Sequence, residues 1–149
     1  MKNLYEAGAV QEVMDRLGRL GPDTQRLWGK MTAAQMAAHC SAGLENAVGD
    51  TNPPRMLLGR IVGPFVKKGL LGEDPVGKNA PTAPGLAVTD ERNLETEKKR
   101  LAVLIQRFSS GGPAKCTTHP NTFLGPLTPE EWARLMYKHL DHHFKQFGV

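Results

Sequence analysis

The chain is short of cysteines and of long apolar runs, and each shortage excludes a class of protein. Its 149 residues include two cysteines, too few for the disulfide scaffold of a small secreted protein. The longest apolar run, Met56–Val66, is interrupted by two glycines and an arginine and is far shorter than the ~20 residues that span a bilayer. Charged residues come early, at Lys2 and Glu6, and leave no room for the apolar core of a signal peptide. We therefore expect a cytoplasmic protein.

Charge and aromatic content are also low and argue against two kinds of partner. The formal net charge is +4, and the chain has only two Trp, two Tyr and five Phe. Because there is neither a basic stripe nor a cluster of rings for stacking, we expect no nucleic-acid partner. The basic segment Pro54–Lys68 contains Gly59, Gly63 and Pro64, which make a poor membrane-surface helix, so we expect no membrane partner.

What the chain does have is the periodicity of helices. Four segments carry apolar residues at spacings of three and four, and none shows the sustained alternation of a strand. These segments are Leu4–Leu20, Thr32–Val48, Asp90–Phe108 and Thr128–Phe147. The second and fourth open with a capping pattern, a threonine three residues before Gln35 or Glu131. A short extra helix is predicted within Pro54–Lys68. The length and the 40% apolar content predict one all-α domain over residues 1–149.

Three histidines stand where this periodicity predicts buried apolar residues. His139 and His143 lie on the inward stripe of the fourth predicted helix, with Cβ atoms about 6 Å apart on one face. His39 lies on the inward stripe of the second. At 1.5 Å per residue, His39 is roughly 10 Å inside the start of its helix, and the pair is roughly 6–12 Å inside the end of theirs. The three rings therefore share one level if those two helices are antiparallel.

Three imidazoles at one level of a helical core predict a metal site with open coordination positions, as catalytic sites have. The alternative is a set of core histidines that satisfy one another by hydrogen bonds, because a buried polar group without a partner costs about 1–3 kcal/mol. The zinc proteases with an HExxH motif are excluded, since Leu140 stands in place of the glutamate base. His119, His142 and Cys40 are predicted to lie outside the site, through their distance along the chain or their helix face.

The segments Met31–His39 and His139–Gln146 resemble the three-histidine motif of the DinB/YfiT-like four-helix bundles. The segment His119–Trp132 is similar to one branch of that superfamily, a domain of unknown function. The resemblance implies an up-down-down-up four-helix bundle with a long crossover between the second and third helices. It also implies that the three histidines named above are the ligands of a divalent metal.

The resemblance also implies a choice of metals and of functions. The metal is zinc, nickel, iron or manganese, and imidazole suits several of these, so the ligands do not choose among them. Characterised members include transferases and isomerases that use low-molecular-weight thiols, which a metal cation converts to thiolate nucleophiles. One expectation is thus a metal- and thiol-dependent transferase acting on a small molecule. The other is a non-enzymatic bundle whose structural or vestigial metal site belongs to a binding module.

Two loops are expected at the metal end of such a bundle, one before the second helix and one before the third. Trp28 lies in the first loop, and Asn79, Pro81 and Thr82 lie in the second. We predict that these residues wall a cofactor pocket, with Trp28 acting more by packing than by ligand contact. A helical bundle with exposed apolar faces often dimerises, so a homodimer is one state that the sequence allows.

Overall fold

A computed structural model describes residues 2–78, 82 and 84–149 of the chain, and the regular elements among these residues are helices. The α-helices are α1 (Ala7–Arg19), α2 (Ala33–Val48), α3 (Leu57–Leu71), α4 (Leu94–Gly111) and α5 (Pro129–Gln146). The prediction of an all-helical protein is confirmed for the described residues. In that same part of the chain, none of the helices combines the length and the apolar character needed to cross a membrane.

The capping patterns predicted for two helices are present at the starts of α2 and α5. The Thr32 hydroxyl accepts from the Gln35 backbone N–H at 3.1 Å, and the Gln35 side chain accepts from the Thr32 N–H at 3.0 Å. Thr128 and Glu131 form the same reciprocal pair ahead of α5, and Pro129 occupies the first helical position. Each pair satisfies two backbone donors that a helix start leaves free, so it determines where the helix begins.

The starts of α1 and α4 lie three or four residues later than the predicted starts at Leu4 and Asp90. Leu4 is fully buried without being helical, because its N–H donates to the carbonyl of Ala133 at 3.2 Å and draws the chain into the core. The start of α4 is set by Asn93, whose side chain accepts from the Thr96 N–H at 2.9 Å. The apolar periodicity begins before these hydrogen bonds, so a prediction from periodicity alone placed both helix starts too early.

Two ion pairs show that α2 and α4 run side by side in the same direction. Glu45 of α2 pairs with Arg100 of α4, and further along both helices Asp50, just after α2, pairs with Arg107. Because the residue number increases in the same direction along both helices from the first pair to the second, the helices are parallel.

α1 and α5 also run in the same direction. The start of α1 is held by the bond from Leu4 to Ala133, and its end by the ion pair of Arg16 with Asp141 at 2.8 Å. α1 and α4 run in opposite directions, since Tyr5 stacks on Phe108 near the end of α4. The core lies between α1, α2, α4 and α5. Its large buried side chains include Val13, Leu17, Met36, Leu44, Leu101, Ile105, Phe108, Trp132, Leu140 and Phe144.

α3 lies outside this core, in the long connection between α2 and α4. The sequence predicted a short helix within Pro54–Lys68, and the structure has α3 about three residues further along. The two residues that α3 buries are Gly59 and Gly63. Its end is held by Lys138 of α5, whose ammonium donates to the carbonyls of Gly69 and Gly72 at 3.0 and 2.8 Å.

Candidate metal centre

Three histidines from α2 and α5 meet inside the helices. The nitrogen atoms that His39, His139 and His143 could offer to a metal lie within 4.8 Å of one another. The ring centroids are 4.7–4.8 Å apart in each of the three pairs. His39 and His143 are 4% and 8% exposed, and His139 is partly buried. A residue near the start of α2 thus meets residues near the end of α5, so these two helices run in opposite directions here.

His39 and His143 each use Nδ1 for a hydrogen bond that points away from the cluster. His39 Nδ1–H donates to the carbonyl of Leu86 at 2.8 Å, and His143 Nδ1–H donates to Oε1 of Gln146 at 2.9 Å. Because these oxygens can only accept, the single proton of each neutral ring is on Nδ1. Nε2 of both rings therefore carries a lone pair. An outer acceptor that sets the tautomer and the ring orientation in this way is typical of histidines that bind a metal.

Gln146 connects His143 to the loop before α2. Its Nε2 donates to the carbonyl of Trp28 at 2.8 Å, which leaves Oε1 facing the imidazole of His143. The next residue, Gly29, has φ +81°, and a Cβ there would stand 2.2 Å from Nε2 of Gln146. The left-handed backbone at this position therefore favours a glycine, and a side chain there would also displace the amide of Gln146. Gln146 is 4% exposed, and its amide is engaged from both ends.

His139 completes the cluster from the other side. Its Nε2 lies 2.7 Å from Nε2 of His39, and since the latter carries a lone pair, His139 donates the proton in this contact. Gly43 lies one turn after His39 on α2, and a Cβ there would be 3.2 Å from Nδ1 of His139. The missing side chain at Gly43 provides the space that the imidazole fills.

Burial keeps the three rings neutral. Burial lowers the pKa of His39 below its usual 6.5, against the opposing hydrogen bond to Leu86, and burial together with the neighbouring imidazoles places the pKa of His139 well below 6.5. Burial lowers the pKa of His143 to about 3. Protons and metal ions compete for the same lone pairs, so rings that stay neutral are available as ligands.

In the described part of the chain, the cluster gathers imidazoles and no carboxylate. Asp141 lies between the two α5 ligands in sequence, but its carboxylate pairs with Arg16 at 2.8 Å and with Lys145 at 2.7 Å. A divalent ion held by three neutral rings keeps its whole positive charge. Such a centre favours an anionic further ligand.

Trp28 lies beside the cluster and reaches it through other residues. Its ring meets that of His142 edge-on, with centroids 6.0 Å apart, and the ring of His142 is 5.1 Å from that of His143. The ammonium of Lys78 lies over the Trp28 ring, 4.7 Å from its centroid. Trp28 thus contacts His142 by its ring and Gln146 by its carbonyl.

The loop before α4 contributes a residue that the sequence did not indicate. The predicted wall residues Asn79 and Pro81 lie outside the described residues, and Thr82 is exposed. The contact to the cluster comes instead from the carbonyl of Leu86, which accepts from His39. A backbone oxygen leaves no trace in the sequence, so no pattern could have identified it.

His119 and Cys40 lie away from the cluster, as the sequence predicted, whereas His142 is not one of the three grouped ligands but its ring touches that of His143. His119 bonds by Nε2 to the carbonyl of Pro53 at 3.0 Å. Cys40 is buried next to Met36, with the two sulfur atoms 3.7 Å apart, and burial raises the pKa of its thiol.

Comparison with known proteins identifies the family. The chain belongs to the family described as "Protein of unknown function (DUF1569)", which matches residues 3–148. No curated protein and no solved structure matches the chain. The family carries no activity that could be transferred, so a function has to be argued from the histidine cluster.

Proposed function

We propose that this DUF1569 chain is a DinB-like protein that binds one divalent metal ion through His39, His139 and His143. We further propose that it acts as a metal- and thiol-dependent transferase, or a related enzyme, on a small molecule. The observation that carries the metal half is the convergence of three ligating nitrogens within 4.8 Å. The thiol half rests on the resemblance of the two histidine segments to the DinB superfamily.

We also propose that α1, α2, α4 and α5 form the up-down-down-up bundle of that superfamily. Support comes from the pairwise directions, parallel for α2 and α4 and for α1 and α5, and opposed between α1 and α4 and between α2 and α5. In such a bundle, the loops before α2 and before α4 lie at the same end. The contacts of Trp28 with Gln146 and of Leu86 with His39 agree with this.

The donor set fits zinc, nickel, iron or manganese. When bound, the ion lowers the pKa of a thiol ligand and so supplies a thiolate nucleophile at neutral pH. The protein contributes the orientation of the rings, because Leu86 and Gln146 hold two of them with Nε2 unprotonated and directed into the cluster.

The first test is the metal content of protein purified without a histidine tag and without added metal. We expect one equivalent of metal in the wild type and a loss of it in His143→Ala. The matched control is His119→Ala, which removes a histidine outside the cluster and should retain the metal. A wild type that holds no metal and takes up none of the four candidate ions would contradict the proposal.

The second test concerns the thiol. With the metal-loaded protein, we expect turnover that depends on a low-molecular-weight thiol and is lost in His39→Ala. Metal binding without any thiol-dependent turnover would reject the transferase half and leave the metal site standing.

A specific observation favours the second candidate, a non-enzymatic binding module. The 2.7 Å contact between His39 and His139 gives Nε2 of each ring a hydrogen-bond partner without an ion. In that case the cluster is a structural or vestigial site. Removal of a structural ion with EDTA should lower the thermal midpoint, whereas a vestigial site that holds no ion should leave it unchanged, and neither should support thiol-dependent turnover.

A further inference from the structure

α3 turns a row of large apolar side chains away from the protein. Leu57, Leu58, Ile61 and Phe65 are exposed by 77%, 58%, 70% and 83%. At 100° per residue they occupy an arc of about 100°, and we call this surface the apolar face of α3. Within the described residues, the other two large apolar side chains of this exposure stand singly, on the loop before α2 and on α4. A contiguous apolar face of this kind marks an interaction surface.

The opposite side of α3 is anchored to the segment before α5. A Cβ at Gly59 would lie 2.6 Å, and one at Gly63 2.3 Å, from the carbonyl oxygen of Phe123. Lys67 adds an ion pair with Glu131 at 2.8 Å. The glycine side of the helix thus packs against the rest of the protein. The apolar face cannot turn inward without the loss of these contacts. The two glycines that argued against a membrane-surface helix are here the packing residues.

The charges on α3 are of one sign. The helix contains Arg60, Lys67 and Lys68 and neither aspartate nor glutamate. Arg60 and Lys68 are exposed: Arg60 lies about 60° to one side of the apolar face, and Lys68 lies at the C-terminal end of the face, about one turn after Phe65. Cations beside an apolar helix face match the chemistry of an anionic lipid surface, where each contributes about 1 kcal/mol of attraction.

A second copy of the chain fits this face less well. In a symmetric dimer the face meets itself, so Arg60 and Lys68 approach their own counterparts with no acidic residue of α3 to pair with. Four apolar side chains are also few compared with the roughly 20–30 residues that each partner contributes to a standard interface.

We propose that α3 docks the protein on the surface of an anionic membrane. The apolar face enters the boundary between headgroups and acyl chains, and Arg60 and Lys68 contact the anionic headgroups. The inference is independent of the metal site and of the proposed reaction.

The experiment is co-sedimentation of the full chain with vesicles. One set is phosphatidylcholine alone, and the other is phosphatidylcholine and phosphatidylserine in a three-to-one ratio. We expect binding to the second set at low salt, and weaker binding to the first set or at high salt. The double variant Ile61→Asp with Phe65→Asp should lower binding at least about tenfold. The matched control is Val103→Asp, an exposed apolar residue of α4 (62%), which should bind as the wild type does.

All three substituted positions are exposed, so thermal melting should show folded variants with similar midpoints. Absence of wild-type binding to phosphatidylserine vesicles at low salt would overturn the proposal, and so would unchanged binding by the folded double variant. Sedimentation velocity without vesicles tests for a dimer. A dimer of the wild type that the double variant abolishes would also overturn the proposal, in favour of a second copy of the chain on this face.

Discussion

Gln146 is a single residue on which the orientation of His143 depends. Its Oε1 accepts from the imidazole and its Nε2 donates to Trp28, so the two halves of one amide have separate tasks. Gln146→Ala should lower metal affinity about 10- to 100-fold while the site still binds one ion, because the ring loses its outer acceptor. Calorimetric titration with zinc measures this.

Gln146→Glu separates the two tasks. A carboxylate still accepts from His143, so metal affinity should be largely restored. It cannot donate to Trp28, so the loop before α2 should lose about 1–3 kcal/mol of stabilisation in urea unfolding. Equal affinity losses in the Ala and Glu variants would show that Gln146 does not act through His143.

At the residue scale, the sequence predicted the three cluster histidines because helix periodicity determines which side chains point inward. The same stripe includes Gln146, but the partner of its amide is a carbonyl from a distant loop. Leu86 was missed for the same reason, since its contribution to His39 is a backbone oxygen. Side-chain direction follows from spacing, whereas backbone partners follow from the course of the loops.

At the scale of elements, the contact between α2 and α5 depends on Gly43. The variant Gly43→Ala places a Cβ 3.2 Å from Nδ1 and 3.3 Å from Cε1 of His139, which must then shift. We expect zinc affinity to fall at least about tenfold, although alanine favours helix by about 1 kcal/mol relative to glycine. Zinc titration and thermal melting measure the two effects.

The matched control is Gly18→Ala in α1, where a Cβ meets nothing within 4 Å. This variant should gain a little stability and keep its zinc affinity. If Gly43→Ala behaves in the same way, then His139 is not held by the spacing of the helices.

The elements themselves were predicted best where side chains mark the boundary. The capping pairs at Thr32 and Thr128 gave the starts of α2 and α5, because both hydrogen-bonding partners are in the local sequence. The start of α1 was placed too early, since Leu4 is buried by a bond to Ala133, far along the chain. A buried apolar residue in the right phase looks helical in sequence whether or not its backbone is.

At the scale of the whole molecule, acid should destabilise the metal-free protein. Burial lowers the pKa of His39 and of His139 below 6.5 and that of His143 to about 3. Below pH 6.5 the unfolded chain takes up protons that the folded chain does not. The contribution of these rings to the free energy of unfolding is therefore complete above pH 6.5. It is lost as the pH falls toward the lowered pKa values.

Urea unfolding in the presence of EDTA measures this at about pH 7 and about pH 5. For each ring that stays neutral in the folded protein, the free energy of unfolding should fall by about 2 kcal/mol over this interval, at about 1.4 kcal/mol per pH unit below 6.5. His143→Leu removes one of the rings and should show a smaller loss than the wild type. An equal loss in both proteins would mean that His143 is not held neutral by the fold.

The parallel course of α2 and α4 explains why the chain between them is long. Antiparallel neighbours need only a short turn, but a chain that leaves the end of α2 has to travel back about 24 Å, the length of its 16 residues, before α4 begins. On this return path it passes the start of α2 and leaves the carbonyl of Leu86 against His39. A shorter connection that joined the two helices directly would thus remove the Leu86 carbonyl that accepts the Nδ1 proton of His39.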